Sequence, residues 1–553
     1  MIWIKNLRYD LYKLKTYTKE FNKYLKVFKN NKTNFGIVYY SLLNEYNQTM
    51  KSILMLLESN YKSKEELQTF RINNMSGVFI LLRKLIETEA TLNILLNNKE
   101  ELHVMYLSQS ELDESHVAMM FGESSKDFKK NKTPKSKYFW LNKYFGKRAR
   151  SVNDLLKTGN YTKGSKLMLE LWLYECNYMA HPNLYSDNEL VENFNGMFIH
   201  LLRYIFEVLQ QTSLAVYSMI CHIESIDQTK TGYDLSRVEN KIPKFDIFND
   251  DYFESKYYDE SISYPFENKD YNNFAYDIRA EYSFINGSLT ISYDGNPLSL
   301  DKRRTLGKLL DYYVEDLKDL VIGFYNKDNM IFYTKVRQVL ESIAYIDLVL
   351  EMNEDEIKVY QAYTDIQRHK RGTYSLNKFN QLNNTNHNID KEFINSNQKL
   401  TVEQAYNLNV KFMKDYFMKI FNEKVSTKTI KRANSFAYDG KGVPSNWQLI
   451  KNMLVRNNID VKYYSGLYSL SSLHCHVNYF THSNKKLSEE KFYVEVMKKV
   501  MTIVKENYDK LFKLLPDELK EILPSTNSTI NKVLYNLYNY DIIKVPNPFW
   551  AFK

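Results

Sequence analysis

"NNMSGVFILLRKLIETEATLNILL" (residues 73–96) decides the reading of the fold, because its pattern returns far downstream as "DNMIFYTKVRQVLESIAYIDLVL" (328–350). Aligned on Asn-Met, the two stretches superpose within two residues. Aligned on arginine, both read R-x-x-[IL]-E. Arg83 and Glu87 in the first, like Arg337 and Glu341 in the second, stand four residues apart, one helical turn. Each pair is embedded in residues that are apolar on most faces, and charged side chains are rarely buried unless paired. Arginine ahead of glutamate is also the weaker order for an exposed helix pair. The pairs are therefore expected at the inner edges of helical bundles, where they either serve a site or fix the register of packing.

Each stretch is followed by a second shared feature. "NYMAHPN" (177–183) and "NYFTHSN" (478–484) carry Asn, Tyr, His and Asn at the same offsets. On a helix, Asn177 and His181 share one face, as do Asn478 and His482. Pro182 disfavours helical backbone at His181, so the first of these helices is expected to end there, with the imidazole at a helix C-terminus. A histidine so placed suits a general acid or a phosphate contact near neutral pH.

From Arg83 to His181 is 98 residues and from Arg337 to His482 is 145, so the second copy carries an insertion, for which the polar stretch 373–393 is the candidate. Both copies continue into an amphipathic segment with apolar residues at three- and four-residue spacing. These features predict a mainly α chain of two tandem helical bundles related by internal duplication, at 36–222 and 300–515. An N-terminal helical segment (1–35) precedes them, a connector (223–299) joins them and a C-terminal extension (516–553) follows. Residues 246–281 of the connector hold ten acids against three bases, as a solvated linker or a cover for a basic surface would. Asn286-Gly287, between alternating runs at 282–293, predicts a small β-hairpin within it.

Only 16 Gly and 10 Pro occur in 553 residues, which fits long helices. The net charge of +9, from 75 basic and 66 acidic side chains, suits a polyanion partner and is equally common in lysine-rich solvated proteins. Cys176, Cys221 and Cys475 have no C-x-x-C spacing and fit a reducing compartment. The start "MIWIKNLRYDLYKLK" lacks the apolar run of a signal peptide, and no stretch approaches the length of a membrane span. A soluble cytoplasmic protein without membrane contact is expected. No P-loop, G-x-S-x-G or dinucleotide glycine pattern is present.

Residues 125–150 hold ten Lys/Arg and one acid among six aromatic residues. Lys129, Lys130, Lys132, Lys135, Lys137, Lys147, Arg148 and Arg150 could track a phosphate backbone while Trp140 offers a stacking face, or the segment is a solvated loop whose aromatics are core. "LHCHVNYFTH" gathers His474, Cys475, His476 and His482, but no second ligand pair has normal spacing, so no metal and no cofactor are expected.

The late Asn-x-x-x-His spacing resembles the HEPN superfamily of helical bundles, whose nuclease members carry an arginine, a polar residue, three variable residues and a histidine on one helix. Cys176 and Val477 stand where that arginine falls. The pattern is also similar to an uncharacterised bacterial domain family with an early R-x-x-x-E helix and a late helix bearing Asn or Ser four residues before a histidine. By that comparison Arg83 and Arg337 supply the arginine. The resemblance implies paired bundles forming one composite site, and a metal-independent endoribonuclease acting as a toxin or antiphage, abortive-infection effector.

Its catalytic candidates are His181, His482, Asn177, Asn478, Arg83, Arg337, Glu87 and Glu341. One histidine would take the 2′-OH proton of RNA, the other would protonate the departing 5′ oxygen, and an arginine would neutralise the phosphorane. The partners implied are RNA, with tRNA a candidate, and a phage-derived or host trigger protein. Oligomerisation of whole chains stays open beside the internal pseudo-dimer. The alternative is a catalytically inactive helical sensor in a phage-defence or toxin-antitoxin system.

Overall fold

The structure is a computed structural model and describes residues 33–59, 76–96, 101–108, 120, 140, 152–181, 269–291, 296–384, 392–395, 398–478, 481, 487, 489–522 and 528–538. It is mainly helical. The upstream part contains α1 (Asn34–Ser59), α2 (Ser76–Leu96), the short α3 (Val152–Thr158) and α4 (Lys163–Met179). The downstream part contains α5 (Lys269–Thr290), α6 (Leu300–Tyr325), α7 (Asn329–Glu351), α8 (Glu354–Asn383), α9 (Val402–Phe421), α10 (Thr427–Ile430), α11 (Asn446–Arg456) and α12 (Val461–His474). Three further helices close it, α13 (Glu490–Lys513), α14 (Asp517–Ile522) and α15 (Thr529–Tyr538). No helix among the described residues is long and apolar enough to cross a membrane.

Two buried clusters organise these helices. Upstream, Leu42, Tyr46 and Ile53 of α1 pack with Leu82, Leu85 and Ile86 of α2 and with Leu169, Trp172 and Cys176 of α4. Downstream, α7 is the central element, and Val336, Val339, Leu340, Ile343 and Ile346 are buried against the helices around it. Asp328 starts α7, its carboxylate accepting from Ile331 N, and it also takes the hydroxyl of Ser52 from α1. Met330 and Ile331 of α7 belong to the upstream core, so the two clusters meet where α2 and α7 approach.

That junction is partly ionic. Lys335 Nζ lies 2.9 Å from Asp316, 3.0 Å from Asp319 and 3.0 Å from Ser76 Oγ. A Cβ at Gly77 would lie 2.4 Å from Lys335 Cε, so glycine at the start of α2 makes room for the lysine. Lys84, fully buried, pairs with Glu45 of α1 at 2.6 Å and donates to His474 O at the end of α12 at 2.9 Å. Removing one member of such a pair leaves a buried charge and typically costs about 3–5 kcal/mol.

The hairpin expected at 282–293 is corrected: Asn286 and Gly287 lie inside α5. Ala275, Ile278, Tyr282, Ile285 and Leu289 recur at three- and four-residue spacing, and burying that stripe outweighs a two-residue turn signal. Asn286 instead donates to Gly307 O and Asp311 of α6. α5 therefore belongs to the downstream core. The strand pair among the described residues is β1 (Glu392–Asn395) with β2 (Gln398–Thr401), antiparallel, with Phe393 opposite Leu400.

The polar stretch 373–393 is helical as far as Asn383. α8 lies along α4: Arg371 Nε donates to Glu175 at 2.6 Å, Ser375 donates to the same carboxylate, Lys378 pairs with Glu170, and Tyr374 stacks on Tyr174. In the C-terminal extension, α15 buries Ile530, Val533 and Leu537 in the downstream core.

Candidate functional site

α4 ends as the proline predicts. Met179 is its last residue, Ala180 N–H closes on Cys176 O, and His181 follows at once. The ring of His181 crosses to α7 of the downstream cluster, where Nδ1 lies 2.9 Å from Oε2 of Glu341. The second oxygen of Glu341 takes Arg337 Nε at 2.9 Å and the hydroxyl of Tyr468, from α12, at 2.9 Å. Arg337 lies 5.5 Å from the Tyr468 ring centroid and reaches Ser472 Oγ at 3.4 Å.

Electrostatics decide which proton the imidazole carries. Burial pushes the Glu341 carboxyl up, but Arg337 and His181 outweigh it and hold it well below the usual carboxylate range. An ionised carboxylate only accepts, so Nδ1 carries the proton that is donated to Glu341. Asn446 Nδ2 faces Nδ1 at 3.3 Å, a contact and not a second bond, since Nδ1 has one proton and Glu341 takes it. Asn446 is in turn set by Asn434, whose Nδ2 donates to it at 2.9 Å. The His181 side chain is 36 % exposed over a carboxylate that is 1 % exposed.

A reciprocal contact stands beside it. His476, two residues past the end of α12, places Nδ1 2.9 Å from Oε2 of Glu87 on α2. Here the histidine is 13 % exposed and the carboxylate 1 %. Ala180 and Cys475, the residues before the two histidines, share a small buried cluster with Ile80 of α2. Around this cluster Gln338 of α7 donates to Ala180 O at 3.4 Å, where Lys84 of α2 donates to His474 O.

The expected site residues are distributed as follows. Arg337, Glu341 and His181 come together. Glu87 meets His476, and His482 lies outside the described residues. Arg83 Nε is buried without a hydrogen-bond partner among the described residues, and its charge lies near Cys176. Asn177 is half-buried on the last turn of α4.

Asn478 is corrected. It lies beyond α12, buried, donating to Leu473 O and His476 O and accepting from Thr481 N, so it shapes the chain after the helix. Trp140 is corrected too: it is 3 % exposed and packs edge-on against Tyr106 at 5.6 Å in the upstream core, which removes its face from any base. The lysines and arginines named with it lie outside the described residues. His474 stacks on Tyr333 at 4.3 Å, Nδ1 facing Leu470 O, as a core residue. Among the described residues no group of three or more His, Cys, Asp and Glu could hold a metal ion.

Tyr468, Ser472, Asn446 and His476 were missed. The signal for His476 is the match of Ser472-x-x-x-His476-Val-Asn to Asn177-x-x-x-His181-Pro-Asn, six residues before the heptad position of His482. Tyr468 and Asn446 carry no such mark, because the position of α4 that matches Tyr468 holds Leu173 and Asn446 comes from α11, outside the aligned stretches. No protein-family model matches the chain, and neither the curated proteins nor the solved structures give a match.

Proposed function

We propose that the chain is a metal-independent endoribonuclease whose reacting group, His181, belongs to one helical bundle and is held by the other. The observation that carries this reading is the His181–Glu341 pair across the junction, with Nδ1 held on an ionised carboxylate. The reciprocal pairs His181–Glu341 and His476–Glu87 support two bundles related by duplication, because exchange of i-to-j contacts is what a self-complementary interface produces. Asn177 and Ser472, each four residues before its histidine, extend the resemblance to the R-x-x-x-E and N/S-x-x-x-H domains.

In the reaction, Nε2 takes the proton of an RNA 2′-OH, and that oxygen attacks the adjacent phosphorus. The P–O5′ bond breaks, a solvent water protonates the departing oxygen, His181 returns its proton to solvent, and the products are a 2′,3′-cyclic phosphate and a 5′-hydroxyl. Arg337 acts through Glu341, keeping it ionised, while its charge also favours an anion nearby. General base catalysis of this kind contributes about 10²–10⁴-fold. A role as toxin or antiphage effector rests on the resemblance alone.

One observation favours a second reading. Arg337 gives Nε to Glu341 and is only 13 % exposed, so its fork is not open to a phosphate. A catalytically inert helical sensor of a phage or host component would need no such fork. The test is a denaturing gel of total RNA with purified protein in excess chelator, beside His181→Ala. Discrete cleavage, lowered at least about 100-fold in the variant, supports the nuclease. Intact RNA throughout, with a phage lysate also tried as trigger, favours the sensor.

A further inference from the structure

The longest helix among the described residues, α8, carries the run Arg368-His369-Lys370-Arg371, and its Arg371 sits 4.6 Å from the ring centroid of Tyr178 while pairing with Glu175. Both partners lie on α4, three and six residues before His181. The basic run is thus laid alongside the last two turns that lead to the candidate site.

On the neighbouring turn a second set of cations approaches it. Gln367 Nε2 reaches Lys431 O at 3.4 Å, which brings the loop after α10 against α8. Lys431 Nζ lies 5.2 Å from the ring centroid of Tyr406, and that ring stacks on His369 at 4.3 Å and 26°. Burial and then the charge of Lys431 lower the affinity of Lys370 for its proton, as happens when two ammonium groups crowd each other. Burial also lowers His369, with Glu403 opposing and Lys431 adding to the effect. Arg432 stands exposed on the same loop, and Lys428 is exposed on α10 just before it. Three residues past Lys431, Asn434 fixes Asn446, the residue that faces His181.

We propose that Lys370 and Lys431, with Arg432 at their edge, form a phosphate-binding ledge that holds the backbone of single-stranded RNA beside His181. Crowded lysines gain when a shared anion lies between them, and lysines suit a backbone because they act as point charges without base preference. Tyr406 is already covered by His369 and Lys431, so the ledge reads phosphates and not bases. The identity of the polyanion as RNA rests on the nuclease reading above.

The experiment is fluorescence anisotropy of a labelled 2′-O-methyl oligonucleotide, which lacks the nucleophile, with the full chain at several salt concentrations. K370E/K431E is expected to bind at least about tenfold more weakly, with the slope of log K against log salt shallower by roughly 1.4, two single-strand phosphate contacts. K370R/K431R should bind like the unmodified chain, and Lys513→Glu, on the exposed end of α13, should leave affinity unchanged. Equal affinity and slope in K370E/K431E, or no binding by the unmodified chain, would overturn the ledge. Binding through the ledge without cleavage of ordinary RNA would leave it standing and remove the nuclease. Cleavage with an unchanged KM in K370E/K431E would do the reverse.

Discussion

Glu341 gives one oxygen to a histidine and the other to an arginine and a tyrosine. That single carboxylate links the charge of Arg337 to the proton on His181 Nδ1. Its folded pKa lies below the ordinary value of about 4.3, so the ionised form stabilises the fold above the ordinary carboxylate range, and the contribution is lost as pH falls through and below it. Glu341→Gln keeps the shape and removes the charge. Urea midpoints of the two proteins should therefore converge between pH 6 and pH 3, the unmodified chain losing on the order of 2 kcal/mol more. Parallel pH dependences would show that Glu341 is not held ionised by its partners.

At the scale of elements, what could be read from sequence was what repeats with helical period. The Arg/Glu stretches are helices α2 and α7, and Pro182 marks the end of α4. The hairpin was misread because Asn-Gly is a local rule, and five apolar residues of α5 buried together contribute more than one turn. The geometry of the site was less legible. Glu341 was found by its helix, but its tyrosine and the asparagine facing His181 arrive from α12 and α11, and nothing in one sequence pairs distant helices.

The approach to α4 offers its own test. Tyr161 OH donates to Glu89 of α2 at 2.6 Å, and Asn160 N–H donates to Asn93 at 2.6 Å, so α2 anchors the loop that leads into α4. Burial pushes the Glu89 carboxyl up to about 7 against the pull of the Tyr161 hydrogen bond. The folded state thus holds this proton more tightly than the unfolded chain, and stability falls as pH rises from about 4.3 to 7. Glu89→Gln should gain on the unmodified chain by up to about 3 kcal/mol between pH 4 and pH 8, measured by chemical unfolding. A gap that stays constant across that range would mean that Glu89 ionises freely.

For the whole molecule, two buried clusters meet at α2 and α7, and a histidine from the helices of each reaches a glutamate on the other side. The halves are not equal. His181 is open where His476 is largely covered, and α11 and α12 add Asn446 and Tyr468 on the open side. Both halves rest on Lys84 and Lys335, which bind the bundles from within.

The most direct measurement is end-group analysis, by mass spectrometry, of RNA cut in excess chelator by the unmodified chain and by Glu341→Gln. The account predicts 5′-hydroxyl and 2′,3′-cyclic phosphate ends, formed about 100-fold more slowly once the carboxylate no longer sets the His181 tautomer. Fragments with 5′-phosphate ends, or equal rates in the two proteins, would contradict it.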